Sequence, residues 1–331
     1  MTVQTKKLNF IQAINEAIAE SMEADPKVLV LGEDVADPEL GGVVGVTRGL
    51  STRFGDHRVR STPISEQAIM GAAIGAAMSG YKPVAEIMMM NFTTVCMDMI
   101  VNHAAKLRFM SGGQTGVPLV IRMMTGAGIS AGGQHSDFLE AWFAHTPGLK
   151  VVAASTPADA KGLMMSCIQD PDPCIFIECT RAYGVAGDVP AGQGPIPLGK
   201  ANISREGTDV TIISYSEIAA RALAVATVLE KEGISAEVID LRTIQPWDRE
   251  TVLASVRKTG RAVIAHEAVR SFGVGAEIAA TLQEELFGLL KAPVLRVGAP
   301  FTPVPFSHPL EMAFLVQPED IAEAVHAAMK A

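Results

Sequence analysis

Cysteine is scarce in this chain: Cys96, Cys167, Cys174 and Cys179 are the only four in 331 residues, and no two form a C-x-x-C pair. Cys174 and Cys179 are spaced too loosely for a zinc or redox signature, so the thiols are expected to be buried, in a reducing compartment. A disulfide scaffold is also unnecessary, since a chain of this length buries roughly 75% of its unfolded surface. Clustered Lys and Arg are lacking as well. With 27 basic against 36 acidic residues and a net charge of -9, the chain has no counterion-releasing face, which excludes nucleic acid or an anionic membrane as main partner. Long hydrophobic runs are absent too: the uncharged stretch Ile69 to Tyr81 falls short of the ~20 residues that a bilayer span needs. Neither a signal-peptide core nor an Arg/Ser-rich transit pattern follows Met1, so the cytoplasm is the expected compartment. There is no internal repeat, no low-complexity tract and no G-x-G-x-x-G, which leaves a nicotinamide site unsupported. Charged residues make up 19%, below the usual ~25%, and so hint at surface covered by other subunits.

What is present is an alternation of apolar runs. Phe10, Ile11, Ile14, Ala17, Ile18 and Met22 recur at helical spacing and predict an amphipathic helix ending before Asp25-Pro26. Val28 to Leu31 reads as a buried strand ending in Gly32-Glu33-Asp34, followed by a Gly-rich loop to Thr47. Strands are expected at Val84 to Met90, Pro118 to Arg122, Leu149 to Ala154 and Cys174 to Glu178. Helices between them are expected at Asp98 to Met110 and Pro157 to Cys167, the latter with Thr156 as N-cap and Pro157 at its first position. From Gly184 to Gly199 Gly and Pro break every periodicity, so residues 186–205 are read as a linker between domains 1–185 and 206–331. Beyond it, strands at Val210 to Ser214, Ala236 to Leu241, Ala262 to His266 and Val294 to Val297 alternate with helices at Glu217 to Glu232, Asp248 to Lys258, Val274 to Leu290 and Glu319 to Met329. Both halves therefore read as parallel-sheet α/β units with helices covering the sheet.

Ligands of such sheets bind beyond the carboxyl ends of the strands, which directs attention to three places. In Thr62-Pro63-Ile64-Ser65-Glu66 the chain passes from extended structure into a helix, with Ser65 as N-cap and Glu66 in the first turn. Taken alone, that is a stabilised helix start, worth ~0.3–1 kcal/mol. Gly71, Gly75 and Gly80 with Ala72, Ala73, Ala76 and Ala77 leave one face of this helix nearly bare, so either a helix of another subunit or a ligand comes close to it. The glycine loop Gly126 to Gly133 ends at His135, which is either a turn-stabilising residue or a site residue borne by a loop. Glu33 and Asp34 are either loop-capping acids or a buried carboxylate with a raised pKa. The run Met88-Met89-Met90-Asn91-Phe92 reads as core, since Met fills irregular gaps.

With these residues in hand, the whole chain resembles the beta subunit of the thiamine-diphosphate-dependent decarboxylase component of 2-oxoacid dehydrogenase complexes. The resemblance rests on Leu31-Gly32-Glu33-Asp34-Val35, Thr62 to Glu66, Ser111-Gly112-Gly113, Gln134-His135-Ser136, Pro147 to Val152, Asp159 to Leu163 and Asp240 to Ile244. Thr302-Pro303-Val304-Pro305-Phe306-Ser307 is similar to the acetoin-cleaving branch and to some pyruvate enzymes. The family implies a transketolase-like pyrimidine-binding domain followed by a transketolase C-terminal-like domain. It implies that Glu66 hydrogen-bonds the pyrimidine ring nitrogen of thiamine diphosphate, and a carboxyl desolvated in an apolar pocket can share a proton at neutral pH. It further implies that Ile64, Met88 and Phe92 line the cofactor site, with Phe92 as the aromatic wall. His135 would serve proton transfer as the acyl group passes to a lipoyl arm, and Glu33 a proton path between active sites. A structural potassium ion would map by position to the carbonyls of Leu119, Cys167, Ile168, Asp170 and Asp172.

Two departures from the family pattern stand out. Ala68 replaces a common Gly, a change of one methyl. No G-D-G with a downstream Asn occurs, so a partner alpha chain is expected to supply the magnesium and diphosphate site, with the cofactor at an alpha-beta interface. The reading is thus the beta chain of a two-alpha two-beta enzyme that cleaves a 2-oxo acid or acetoin and reductively acylates the lipoyl domain of a transacylase component. A split transketolase-like enzyme without a lipoyl arm and a non-catalytic scaffold subunit are the rivals.

Overall fold

The computed structural model describes residues 4–331, which divide into two compact units. The first comprises the chain up to Thr125 and Trp142–Leu198, and the second comprises Gly126–Ala141 and Gly199–Ala331. The stretch read as a linker carries two strands, one in each unit, and the glycine loop with His135 belongs to the second unit although its sequence lies inside the first.

The chain opens with β1 (Thr5–Asn9), α1 (Phe10–Ala24), β2 (Val28–Glu33), α2 (Leu50–Phe54), β3 (Val59–Thr62), α3 (Glu66–Met78) and β4 (Lys82–Met89). Next come α4 (Thr93–Asp98), α5 (Leu107–Met110), β5 (Val120–Thr125), α6 (Gly133–Ser136), α7 (Glu140–Ala144), β6 (Lys150–Ala153), α8 (Pro157–Gln169), β7 (Cys174–Cys179) and β8 (Ala186–Pro190). Strands β3, β2, β4, β5, β7 and β6 lie side by side, all parallel. The helix α1 starts from a capping box in which Asn9 Oδ1 accepts from the Gln12 N–H at 2.8 Å and Gln12 Oε1 accepts from the Asn9 N–H at 2.9 Å. Its buried face packs on α8, where the buried Lys161 reaches Glu20 at 2.7 Å and Glu16 at 3.3 Å. Thr156 caps α8 through the Asp159 N–H, with Pro157 in its first turn, as the sequence predicts. The helix expected from Asp98 to Met110 is interrupted: α4 ends at Asp98, a π-helical turn covers Met99–Ala104, and α5 is a single turn. An antiparallel pair, β1 with β8, stands apart from the parallel sheet.

The second unit continues with β9 (Asn202–Arg205), β10 (Val210–Ser214), α9 (Ser216–Lys231), β11 (Ala236–Asp240), β12 (Thr243–Gln245), α10 (Arg249–Thr259) and β13 (Ala262–Val269). It closes with α11 (Val274–Leu286), β14 (Leu295–Ala299), α12 (His308–Phe314) and α13 (Pro318–Lys330). Its sheet runs β14, β13, β10, β11 in parallel, with β9 antiparallel at the β11 edge. Both units are α/β, and each buries its own apolar core. All four cysteines are free and buried. No helix among the described residues is long and apolar enough to cross a membrane.

Candidate active site

In the first unit the topology gathers the carboxyl ends of three adjacent strands. Glu33 ends β2, the chain turns from β3 through Thr62 into Glu66, and β4 delivers Met88 and, just beyond it, Phe92. The order of strands reverses direction around β2, which is where an open sheet forms its crevice. Gly32 is required here because a Cβ would stand 2.9 Å from the Glu86 backbone oxygen and Cβ on the neighbouring strand. The loop after β2 is pinned by Asp37, whose carboxylate accepts from the Gly49 and Thr52 backbone N–H groups and from the Ser51 and Thr52 hydroxyls. Burial pushes the Asp37 carboxyl upward, but these donors outweigh it and hold the group at about 2.

Glu66 is the first residue of α3 and is 8% exposed. Ser65 occupies the cap position, but its side chain makes no capping bond and instead lies 3.5 Å from the Pro63 carbonyl. Glu33 is buried, and its Oε1 has no hydrogen-bond partner. Burial, then the charges of Glu66 and Asp34, push the Glu33 carboxyl above its ordinary value, against the Ser65 backbone N–H that donates to it. Cys96 faces the same charge: burial, aided by Glu66, pushes its thiol up to about 12, so it is a packing residue. Ile64, beside Glu66, is 83% exposed, while Met88 and Phe92 are half-buried against the core. On α3 an added Cβ at Gly75 would meet nothing within 4 Å, but the face expected to be bare is only partly so: Ala73 and Ala77 are buried, and Gly80 lies beyond the helix end with a φ of 89°.

A carboxyl pair next to an exposed Ile and a half-buried aromatic suits the aminopyrimidine half of thiamine diphosphate: one acid to share a proton, apolar groups to flank a ring. Among the described residues no group of three or more His, Cys, Asp or Glu side chains is arranged to hold a metal. His135 lies in α6 of the second unit, half-buried.

Leu119, Cys167, Ile168, Asp170 and Asp172 meet in one corner of the first unit. The Leu119 carbonyl accepts from the Cys174 N–H at 2.9 Å, and the Cys167 carbonyl from the Asp170 N–H at 3.3 Å. The side chains of Asp170 and Asp172 are taken by Lys150 and Arg108.

Two buried polar clusters have no counterpart in the motif reading. Arg122 on β5 donates from Nε and Nη2 to Glu178 on β7, at 2.7 Å each, and from Nη1 to Glu86 on β4, while the Tyr183 hydroxyl reaches Glu178 at 2.6 Å. The cluster lies beneath Met88 and Met124 at a cleft bordered by the Gly42–Val46 loop. In the second unit the Tyr215 hydroxyl donates to Glu140 at 2.6 Å and its ring stacks on His266 at 6.1 Å. A lone charge inside an otherwise apolar strand, as in Val-Ile-Arg-Met-Met-Thr and Cys-Ile-Phe-Ile-Glu-Cys, is the sequence signal for the first cluster.

Comparison with known proteins identifies the family. Residues 6–185 match the transketolase pyrimidine binding domain and residues 199–321 the transketolase C-terminal domain. Acetoin:2,6-dichlorophenolindophenol oxidoreductase subunit beta of Cupriavidus necator is 49% identical over 333 residues, covering 98% of each chain. Pyruvate dehydrogenase E1 component subunit beta of Staphylococcus epidermidis is 44% identical over 98% of this chain and 99% of its own. Among solved structures, the chain of a split-gene transketolase, titled an inactive beta4 tetramer, matches with a TM-score of 0.79 at 25% identity over 96% of this chain and 97% of that one. Fold and domain matches thus define a subunit of the thiamine-diphosphate-dependent, transketolase-like class. Within that class the chain belongs to the E1 beta subunits of acetoin and 2-oxoacid dehydrogenase complexes.

Proposed function

We propose that this chain is the beta half of a two-alpha two-beta enzyme that cleaves acetoin or a short 2-oxo acid such as pyruvate and passes the acyl unit to the lipoyl domain of a transacylase. The observation that carries this reading is the Glu33–Glu66 carboxyl pair at the carboxyl ends of adjacent strands, one oxygen unpartnered, beside the exposed Ile64. Bound thiamine diphosphate supplies a nucleophilic carbon and an electron sink. Glu66 holds and shares a proton at the pyrimidine ring nitrogen, Met88 and Phe92 flank the ring, and Ile64 covers it. Glu33 and Glu66 are coupled through their charges, so Glu33 feeds or withdraws a proton at the same end of the sheet. His135 donates a proton to a lipoyl sulfur as the disulfide opens and the acyl unit is oxidised.

Magnesium and the diphosphate fall to the alpha chain, since this sequence carries no G-D-G with a downstream Asn. The partly bare face of α3, with the exposed Met78 and Tyr81, is the surface we assign to a partner subunit. We assign a potassium ion to the carbonyls of Leu119, Cys167, Ile168, Asp170 and Asp172. Four free buried thiols suit the reducing cytoplasm.

Dye reduction by the co-purified alpha-beta assembly, with thiamine diphosphate and magnesium and with acetoin, pyruvate and branched 2-oxo acids side by side, tests the reading. One substrate is expected to dominate, and Glu66→Ala to lower turnover by roughly 10²–10⁴-fold. Unimpaired turnover in that variant leaves only a scaffold role. Turnover that never acylates a lipoyl domain leaves the transketolase-like rival, whose fold this chain shares.

A further inference from the structure

The glycine loop that leads to His135 is built as an anion cradle, and the anion in it is the chain's own. Gly126, Gly128, Ser130 and Gly132 all have positive φ, at 110°, 109°, 56° and 72°. An L side chain at Ser130 adopts that region only under constraint. Alternation of this sort turns successive N–H groups to one side and forms a concavity that binds anions. Here the Gly128 N–H donates to Glu311 Oε1 at 2.7 Å, the Ser130 N–H to Oε2 at 2.9 Å and to Oε1 at 3.1 Å, and the Ser130 hydroxyl to Oε2 at 3.2 Å. Glu311 sits in α12 with 0% exposure. A carboxylate that deep is tolerated only when its oxygens are hydrogen-bonded, and both are.

A second buried carboxylate, Glu267 on β13, accepts from the Ala127 N–H at 2.9 Å. The far side of the loop is fixed by packing: a Cβ on Gly132 would stand 2.8 Å from the Phe306 ring, and one on Gly133 3.5 Å from Pro303. The stretch Thr302 to Ser307 therefore seats the same loop that Glu311 holds. All of these residues belong to the second unit, as does His135.

We infer that Glu311 is a positioning residue: its carboxylate fills the backbone cradle of residues 126–132 and so sets where His135 stands. The inference rests on the role proposed for His135 in lipoyl acylation, and it also removes this glycine loop from the places where an external phosphate would bind.

Two measurements on the alpha-beta assembly test it. Amide hydrogen exchange in the wild type is expected to show Gly128 and Ser130 protected, and Glu311→Gln, with one acceptor oxygen fewer, to release peptides covering 126–136 while β10 and α9 stay protected. Glu311→Gln is also expected to lower kcat for lipoyl-domain acylation roughly 10- to 100-fold with KM for the oxo substrate little moved. On a His135→Ala background the same substitution is expected to add no further loss, since a residue that acts through His135 has nothing left to act on. Unprotected Gly128 and Ser130 amides in the wild type overturn the inference, and they do so even if the variants misfold. Multiplied losses in the double variant, with His135→Ala alone slow, overturn the positioning role and leave the proposed function standing. If His135→Ala acylates as fast as wild type, the proposed role of His135 falls and the positioning role falls with it.

Discussion

One buried polar cluster in each unit handles charge in the opposite way to the other. In the first, Arg122 is 3% exposed and stays charged because Glu178 grips it with both oxygens and Glu86 holds its third nitrogen. The charge of Glu178 keeps the guanidinium above its ordinary value in spite of burial. In the second, no cation among the described residues faces Glu140. Burial pushes its carboxyl up to about 8, only partly opposed by the Tyr215 hydroxyl, and burial pushes His266 down to about 4, with its Nδ1 against the Ala268 carbonyl at 3.1 Å. One cluster is ionised and satisfied by pairing, whereas the other gives up charge and still leaves Glu140 Oε2 and His266 Nε2 without a hydrogen-bond partner. Buried titratable groups therefore reveal nothing about their charge until their neighbours are known.

The contrast breaks most visibly at Arg122. Arg122→Met would leave Glu86 and Glu178 buried without a cation, and unfolding of the first unit is expected to become easier by about 3–5 kcal/mol. An unchanged denaturation midpoint would mean that the cluster is not ionic.

Next in size is a pH effect. The folded chain keeps the Glu140 proton that the unfolded chain releases near 4.5, so this group's contribution to stability is whole below 4.5 and is lost as pH rises to about 8. His266 acts the other way: its contribution is whole above 6.5 and is lost as pH falls through about 4. Between 4.5 and 6.5 the two slopes oppose each other, and from 6.5 to 8 only the decline from Glu140 remains, at about 1.4 kcal/mol per pH unit. Thermal unfolding against pH, wild type minus Glu140→Gln, is expected to isolate that decline, and a flat difference from 6.5 to 8 would refute it. The smallest effect is that of Glu140→Gln itself at pH 4, below about 1 kcal/mol, because there the Glu140 carboxyl is largely protonated in the folded and the unfolded chain alike and an amide oxygen still accepts from Tyr215.

The parallel-sheet plan was legible because buried strands such as Val210–Ser214 are runs of apolar residues, and because Thr156-Pro157 announces a helix start in two residues. The strand β1 was not legible, since three of its five residues are exposed and its partner β8 is some 180 residues further on. The site was half legible: Glu66 sits at a local strand-to-helix passage, so its motif is contiguous. The partners of Arg122 lie 36 and 56 residues away and those of Glu311 about 181 to 183 away, and no local pattern carries such pairings. The helix break at Met99 was hidden as well, because a π-helical turn needs no Gly or Pro to announce it.

The second unit is assembled from two separated lengths of chain, Gly126–Ala141 and everything after Leu198, whereas the family's C-terminal domain is delimited as 199–321. A chimaera made by swapping the sequence after residue 198 between relatives would thus carry a host loop in a foreign unit, with Glu267 and Glu311 arriving from one parent and the amides of Ala127, Gly128 and Ser130 from the other. Graft boundaries for this fold belong at three points along the sequence, after Thr125, after Ala141 and after Leu198.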